Sequence, residues 1–203
     1  MQISEQLFSE IEEYAELYHV PIIHSAGAAA LARLVAAHKP RAVLEIGTAI
    51  GYSALKMLAC MPGQGRIISI ELDEARIAAA RKFIGRAGAA DRIELIAGNA
   101  GELIDGLQGP FDMIFIDAAK GQYLDYFRKL EGKLMTGAIV VADNVLFRGF
   151  VQSREAVPRR YRTIVKRLRQ YLEYVNSHPC FTTTVQQTGD GIAISYYRGT
   201  TGE

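Results

Sequence analysis

The stretch that decides the fold is Ala42-Val-Leu-Glu-Ile-Gly-Thr-Ala-Ile-Gly-Tyr-Ser53. Its first five residues are mostly apolar, and such a short run predicts a buried β-strand rather than a helix. Gly47 and Gly51 then predict a turn, and a helical pattern begins at Tyr52. A strand that passes through a glycine-containing turn into a helix is typical of proteins with a parallel sheet. The rest of the chain should therefore alternate between strands and helices.

The alternation continues on both sides of this stretch. After the strand at 42–46, further strands are predicted at 67–70, 93–97, 113–116, 138–142, 181–185 and 192–197. Helices are predicted at 7–18, 25–37, 52–61, 73–87, 100–107, 122–134 and 159–176. This order predicts an α/β fold with five parallel strands, helices on both faces and a C-terminal antiparallel hairpin. We expect one domain over residues 1–203, with N-terminal helices in 1–40 and the core in 41–203.

The glycine turn after the first strand could approach a ligand closely, because backbone N–H groups and a helix dipole face outward there. Glu71 ends the second predicted strand, 24 residues after Gly47. Dinucleotide-binding folds place an acid that binds ribose hydroxyls at a similar spacing. The two features indicate a nucleoside ligand, although Ala49 replaces one glycine of the usual G-x-G-x-x-G pattern. The alternative is that Glu71 merely precedes a helix whose N-cap is Asp73.

Acidic residues also end the fourth and fifth predicted strands. Asp117 follows the fourth strand, and Asp143-Asn144 follows the fifth. The carboxyl ends of parallel strands lie at one edge of a sheet, and two carboxylates with an amide oxygen suit a hard cation such as Mg²⁺. Lys120, three residues beyond Asp117, could serve there as general base for a hydroxyl. The alternative is an ordinary turn at Asp143-Asn144 and a surface charge at Lys120.

The net charge of +1 hides a strongly basic segment. Residues 148–169 carry eight basic side chains and one acid, so their charge is +7 and that of the remaining chain is −6. On the predicted helix 159–176, apolar residues recur on one face and basic residues occupy the opposite arc. Such an arc either binds phosphates beside a site or is simply solvated. The candidate nucleic-acid contacts are Arg148, Arg154, Arg159, Arg160, Arg162, Lys166 and Arg167.

The sequence also bears on the cellular compartment. No run approaches the roughly 18 apolar residues that a membrane span needs, and the first residues are acidic and amphipathic rather than basic and then apolar. Cys60 and Cys180 adjoin apolar stretches, which favours two buried, reduced thiols. We therefore expect a cytoplasmic protein without a membrane partner.

Four motifs, taken in order, resemble the cation-dependent O-methyltransferases, the family of the catechol and caffeoyl-CoA O-methyltransferases. These are E-I-G-T-x-x-G-Y-S at 45–53, the strand-end Glu71, F-I-D-A-A-K at 115–120 and A-D-N-V at 142–145. The resemblance runs from about Tyr18 to Tyr197 and implies a Rossmann-like seven-stranded methyltransferase sheet that binds S-adenosylmethionine.

The resemblance also implies roles for individual residues. For the cofactor it implies Glu45, Gly47, Thr48, Gly51, Tyr52, Ser53, Glu71, Asn99, Ala100 and Asp117. For Mg²⁺ or another divalent cation it implies Asp117, Asp143 and Asn144, with Lys120 as base and Asp117 as a second catalytic residue. In such a site the cation would lower the pKa of the acceptor hydroxyl, whose oxygen would then attack the sulfonium methyl group. A homodimer is also suggested.

The acceptor is not determined by the fold. Within the family, the strings L-E-I-G-T-A-I-G-Y-S, F-I-D-A-A-K-G-Q-Y, D-N-V-L-F-R-G and G-D-G-I-A-I-S are most similar to bacterial tRNA methyltransferases that convert wobble 5-hydroxyuridine to 5-methoxyuridine. The predicted partner is then the anticodon region of tRNA, contacted by the basic segment. One alternative is a small-molecule catechol or hydroxycinnamoyl O-methyltransferase. Another is a nucleic-acid-binding module without catalysis.

Overall fold

The computed structural model describes residues 3–200, which fall into two compact units that meet in sequence at Ala100 and Gly101. The first unit contains four helices and three strands. They are α1 (Glu5–Leu17), α2 (Ser25–His38), β1 (Ala42–Ile46), α3 (Tyr52–Cys60), β2 (Arg66–Glu71), α4 (Glu74–Arg86) and β3 (Ile93–Ala97).

Parallel pairing holds the strands of the first unit together. β1 pairs with β2 from Ala42↔Arg66 onward, and β2 pairs with β3 as far as Glu71↔Ala97. Two of these helices, α1 and α4, begin at side-chain caps: the Ser4 hydroxyl accepts the N–H of Leu7 at 3.2 Å, and the Asp73 carboxylate accepts the N–H of Arg76 at 2.9 Å. Asp73 is thus the N-cap of α4, as the alternative interpretation of Glu71 assumed. The apolar stripe of α1 is buried through Leu7, Phe8, Ile11 and Ala15.

The second unit carries the remaining strands and the long basic helix. Its elements are α5 (Ala100–Leu103), β4 (Phe111–Ile116), α6 (Tyr123–Leu130), β5 (Leu134–Ala142), α7 (Arg162–Ser177), β6 (Phe181–Gln186) and β7 (Ile192–Tyr197). β4 and β5 are parallel, whereas β7 runs antiparallel to both β5 and β6. Aromatic rings of α6, α7 and β6 pack together: Phe127 lies 4.9 Å from Phe181 and 5.9 Å from Tyr171, centroid to centroid.

The seven strands follow the order β3-β2-β1-β4-β5-β7-β6, so the predicted α/β fold with a C-terminal antiparallel hairpin is confirmed. Several element boundaries differ from the predicted ones: β4 begins at Phe111 rather than 113, and α7 begins at Arg162 after a 3₁₀ turn, Arg159–Tyr161. The helix predicted at 100–107 is α5 followed by a 3₁₀ turn, Ile104–Gly106. The helix predicted at 122–134 ends at Leu130, and β5 begins at Leu134 rather than 138. Residues 135–137 are exposed, so no apolar pattern marks the start of this strand.

Cys60 and Cys180 are free thiols, but both are half-buried rather than buried. Within residues 3–200, no helix is long and apolar enough to cross a membrane. The single domain over 1–203 stays a prediction.

Candidate active site

In the first unit, Glu71 fastens the glycine turn to the end of β2. Its Oε2 accepts the N–H of Ala49 at 2.8 Å, and its Oε1 accepts the N–H groups of Leu72 and Asp73 at 2.9 and 3.0 Å. Ala49 has a φ of 49°, a left-handed conformation that this hydrogen bond helps to hold. A carboxylate has about four lone-pair positions, so three N–H donors leave Glu71 able to accept one more hydrogen bond.

Thr48, inside the same turn, has a buried hydroxyl without a partner. Its side chain is 2% exposed, and among residues 3–200 nothing hydrogen-bonds to Oγ1. An unsatisfied buried hydroxyl costs about 1–3 kcal/mol, which a ligand group at the turn would recover. Thr48 therefore fits a site that is completed by a bound molecule.

A buried polar network lies beneath the turn. The Glu45 carboxylate has no exposed surface and accepts hydrogen bonds from the hydroxyls of Ser53 and Ser69. Glu45 thus orients Ser53, the second residue of α3, from inside the unit. Sequence reasoning missed Ser69, because a serine within an apolar strand carries no pattern that pairs it with Glu45.

The remaining cofactor candidates of this unit have distinct surroundings. Gly47 and Gly51 bound the turn, both at positive φ. The Tyr52 hydroxyl donates to Glu12 of α1, and burial, followed by that hydrogen bond, raises the pKa of Tyr52. Asn99 and the buried Ala100 follow β3, whose end is joined to β2 by the N–H of Gly98 donating to the Glu71 carbonyl at 2.9 Å.

In the second unit, Asp117 and Asp143 follow the adjacent ends of β4 and β5. The strands are in register at Ile116↔Ala142, and the N–H of Asp143 donates to the carbonyl of Ile116 at 3.0 Å. Asp143 is 4% exposed, and its Oδ1 accepts the N–H of Asn144 at 2.7 Å. Burial and then the charge of Asp117 raise the pKa of Asp143 to about 6, against the opposing effects of Asn144 and Lys120.

Lys120 lies beside this acidic pair. Its Nζ is 3.8 Å from Asp117 Oδ1, and both side chains are about one-fifth exposed. Tyr123 also borders the pair, since its hydroxyl donates to the Asp143 carbonyl at 3.0 Å. Burial, and next the charges of Asp117 and Asp143, raise the pKa of Tyr123 well above its usual range.

The predicted metal ligands thus include two neighbouring carboxylates. Asn144 directly follows Asp143 and has a φ of 56°. In the described part of the chain, no group of three or more His, Cys, Asp and Glu side chains could hold a metal ion. The predicted set has only two carboxylates, with an amide as third ligand, so the cation stays a prediction.

The basic segment differs from a uniform cationic surface, because three of its arginines donate to backbone carbonyls of nearby loops. Arg162 Nε donates to Val157 at 3.1 Å, and Arg167 Nη1 donates to Gly121 at 3.0 Å. Arg169 donates to Phe150, Val151 and Ser153 at 2.9–3.0 Å.

Two further arginines contact the ring of Tyr161: Arg148 also donates to its hydroxyl at 3.0 Å, and Arg160 lies 4.6 Å from the ring centre. The side chains of Arg154, Arg159 and Lys166 are exposed. Two of the residues predicted to contact nucleic acid, Arg162 and Arg167, therefore hold backbone carbonyls of this protein.

The first unit thus carries a glycine turn with a strand-end acid, and the second unit carries an acidic pair with a lysine. The family model described as O-methyltransferase matches residues 5–197. This chain belongs to that O-methyltransferase family. The prediction of an S-adenosylmethionine-dependent O-methyltransferase is confirmed at the level of the family.

Three curated relatives are named after the small molecules that they methylate. Catechol O-methyltransferase of Mycobacterium tuberculosis is 33% identical over 178 residues, which are 83% of this chain and 77% of the relative. Caffeoyl-CoA O-methyltransferase 1 of Eucalyptus globulus is 32% identical, over 74% of this chain and 64% of the relative. A catechol O-methyltransferase of Niastella koreensis is 41% identical over 54% of this chain, and the match spans only about half the relative's length, 51%.

Two solved structures are similar over nearly the whole chain. The O-methyltransferase from Bacillus cereus, solved in complex with SAH, has a TM-score of 0.86 and 26% identity, covering 96% of this chain and 91% of that one. The O-methyltransferase TomG from Streptomyces achromogenes, involved in tomaymycin synthesis and solved with SAM, also has a TM-score of 0.86 and 26% identity, with 97% and 91% covered.

Proposed function

We propose that this chain transfers a methyl group from S-adenosylmethionine to one of two adjacent oxygens of a small phenol of the catechol or hydroxycinnamoyl type. The observation that carries the proposal is the juxtaposition of Asp117, buried Asp143 and Lys120 at neighbouring strand ends. The named activities of the M. tuberculosis and E. globulus relatives favour the same class of acceptor.

The residues of the first unit fit the cofactor. The buried Thr48 hydroxyl has no hydrogen-bond partner among residues 3–200, and a bound cofactor could supply one. Glu71 keeps one lone-pair position for a ribose hydroxyl. S-adenosylmethionine would supply an activated methyl group on a sulfonium sulfur. In this proposal Glu71 binds the ribose, Thr48 and the turn amides hold the cofactor's polar end, and Glu45 fixes Ser53.

The acidic pair fits a divalent cation, because a carboxylate as buried as Asp143, beside a second carboxylate, is stabilised by a positive charge. Asp117, Asp143 and the Asn144 amide oxygen would hold it. Bound there, such an ion would supply Lewis-acid polarisation of two adjacent acceptor oxygens.

Lys120 has the proton-transfer role in this mechanism. As a neutral amine, its Nζ would accept the proton of the acceptor hydroxyl while the hydroxyl oxygen takes the methyl group, which would leave S-adenosylhomocysteine and a protonated lysine. Asp117 keeps Lys120 near the acceptor oxygen, and Tyr123 fixes the backbone carbonyl of Asp143.

The direct test is methyl transfer from labelled S-adenosylmethionine to a catechol and, in parallel, to bulk tRNA that lacks 5-methoxyuridine, each with Mg²⁺ and with chelator. We expect label in the catechol only when Mg²⁺ is present. Label in tRNA alone would contradict the small-phenol acceptor, and label in neither would contradict the proposed activity.

A second candidate acceptor is tRNA wobble 5-hydroxyuridine, which the exposed basic residues of the segment 148–169 favour. Like a catechol, 5-hydroxyuridine offers two adjacent oxygens. If tRNA is the acceptor, the double variant Arg154→Glu with Arg159→Glu should methylate tRNA at least tenfold more slowly. Its rate with tRNA should fall further at high salt. If the acceptor is a small phenol, the same double variant should leave kcat/KM within twofold of the unchanged protein.

Replacement of Glu71 by glutamine should weaken both the cofactor site and the fold. The amide keeps one acceptor oxygen, so either Ala49 or the Leu72–Asp73 pair loses its partner. Loss of a hydrogen bond to a buried charge should lower the free energy of unfolding by about 1–3 kcal/mol. Urea denaturation measures this change, and calorimetry should show at least tenfold weaker binding of S-adenosylmethionine.

The matched control for that variant is Glu74→Gln, an exposed acid in the first turn of α4. This control should change neither the free energy of unfolding nor the affinity for S-adenosylmethionine appreciably. Unaltered cofactor affinity in Glu71→Gln would contradict the assigned role of Glu71. The homodimer and the cytoplasmic location stay predictions.

A further inference from the structure

Within its own segment, the turn that carries Lys120 is held at its last residue, where the Tyr126 hydroxyl donates to Gln122 Oε1. Lys120–Gln122 is a single 3₁₀ turn between β4 and α6, closed by the Gln122 N–H donating to the Ala119 carbonyl at 2.8 Å. The 3.8 Å separation of Lys120 Nζ from Asp117 Oδ1 is too long for a hydrogen bond. The ion pair with Asp117 therefore leaves the direction of the Lys120 side chain loosely defined, and its position also depends on what fixes the backbone of this turn.

A contact that fixes the middle of the turn comes from α7, 46 residues away in sequence. Arg167 Nη1 donates to the Gly121 carbonyl, the central peptide of the turn, at 3.0 Å. Arg167 stands on a well-anchored part of α7, because its neighbours Val165 and Leu168 are buried. A long side chain on a rigid helix can therefore hold the turn in one place.

The fit at this contact is close. A Cβ added to Gly121 would lie 3.3 Å from Arg167 Nη1 and 3.4 Å from its Cδ, tighter than or at the limit of ordinary packing. On the other side of the turn, Tyr123 is held by its bond to the Asp143 carbonyl and packs edge-to-face on Tyr171 of α7, at 5.8 Å. α7 thus contacts the lysine turn and the first residue after it.

We infer that Arg167 is a positioning residue for Lys120, which it holds beside the acidic pair through the carbonyl of Gly121. The inference rests on the proposed function, in which Lys120 is the base. In this role Arg167 binds a backbone carbonyl of the protein itself, and not a phosphate group of a nucleic acid as its charge had predicted. Small misplacement of a catalytic group is costly in rate, whereas one exposed hydrogen bond contributes little to stability.

The kinetic test uses Arg167→Ala, Arg167→Lys and, as a matched control, Arg81→Ala at an exposed arginine of α4. With a catechol acceptor, Arg167→Ala should lower kcat about tenfold and leave KM within twofold. Arg167→Lys should restore part of the loss, because an ammonium can also donate to the Gly121 carbonyl. Arg81→Ala should be unchanged. Equal kcat in Arg167→Ala and the unchanged protein would overturn the inference.

A double-mutant cycle separates positioning from a general structural effect. If Arg167 acts through Lys120, then Arg167→Ala should cost less than twofold in a Lys120→Met background. A tenfold loss in that background too would overturn the inference, because the effect would then not pass through Lys120.

A measurement without any acceptor keeps this inference distinct from the proposed function. Hydrogen exchange of a peptide covering residues 117–126 should be faster in Arg167→Ala and unaltered in Arg81→Ala. Unchanged exchange in Arg167→Ala would overturn the inference whatever the acceptor is. Faster exchange in a protein that does not methylate phenols would support the positioning contact and contradict only the small-phenol acceptor.

Discussion

Lys120→Met is expected to reduce kcat for a catechol by about 10²–10⁴-fold, the usual contribution of a positioned general base. Methionine keeps a long unbranched side chain and removes the ammonium, so the turn should keep its shape. The Lys120 Nζ lies 3.8 Å from Asp117 and borders Asp143, where the acceptor hydroxyl must lose its proton in the proposed mechanism. The measurement is a single-turnover transfer of the labelled methyl group at saturating S-adenosylmethionine and Mg²⁺.

The control for this variant is Lys82→Met, which removes an exposed lysine of α4. Cofactor affinity, measured by calorimetry, should be the same in all three proteins. The loss of a positive charge beside Asp117 and Asp143 should leave Mg²⁺ binding at least as tight, so added Mg²⁺ should not rescue the rate. A kcat within threefold of the unchanged protein would show that Lys120 is not the base.

The fold could be predicted because the central strands are buried runs. Val43, Leu44 and Ile46 of β1 are at most 1% exposed, and such continuous burial separates a parallel strand from an alternating surface strand. The start of β5 could not be predicted, because residues 135–137 are exposed and show no apolar run. The 3₁₀ turns after α5 and α6 were predicted as helix, since both continue the helical pattern for a few residues.

The candidate site was predictable wherever a strand end sets its position. Glu71, Asp117 and Asp143 follow from strand register alone. The contact of Arg167 with Gly121 could not be found in this way, because its acceptor is a backbone carbonyl, which is the same in every residue type. For the same reason the charge of α7 favoured phosphate binding, although Arg162, Arg167 and Arg169 donate to loop carbonyls.

Gly191→Ala is expected to be the most destabilising of these substitutions. Gly191 has a φ of 88°, and an added Cβ would lie 2.2 Å from Leu146 Cγ and 2.7 Å from Cδ1. Overpacking costs about 1–3 kcal/mol and a left-handed non-glycine residue about 1–2 kcal/mol, so the free energy of unfolding should fall by about 2–5 kcal/mol. For a chain of this size that lowers Tm by about 5–15 °C, which thermal unfolding followed by circular dichroism will measure.

The same substitution should impair catalysis below its lowered Tm. The carbonyls of Gly191 and Asp190 accept the N–H groups of Val145 and Leu146 at 2.9 Å, and the Asp190 carboxylate accepts that of Arg148. The hairpin turn therefore holds the segment that directly follows Asp143 and Asn144, and its displacement should weaken Mg²⁺-dependent transfer.

Gly189→Ala is the matched control for the steric part of this effect. Gly189 also has a positive φ, 57°, but an added Cβ there would meet nothing within 4 Å. It should therefore show only the backbone cost of about 1–2 kcal/mol. Leu146→Ala combined with Gly191→Ala should recover part of the lost stability, because it removes the atoms that clash. Equal Tm values for Gly189→Ala and Gly191→Ala would contradict the clash with Leu146, since the two variants share the backbone strain and differ in that contact.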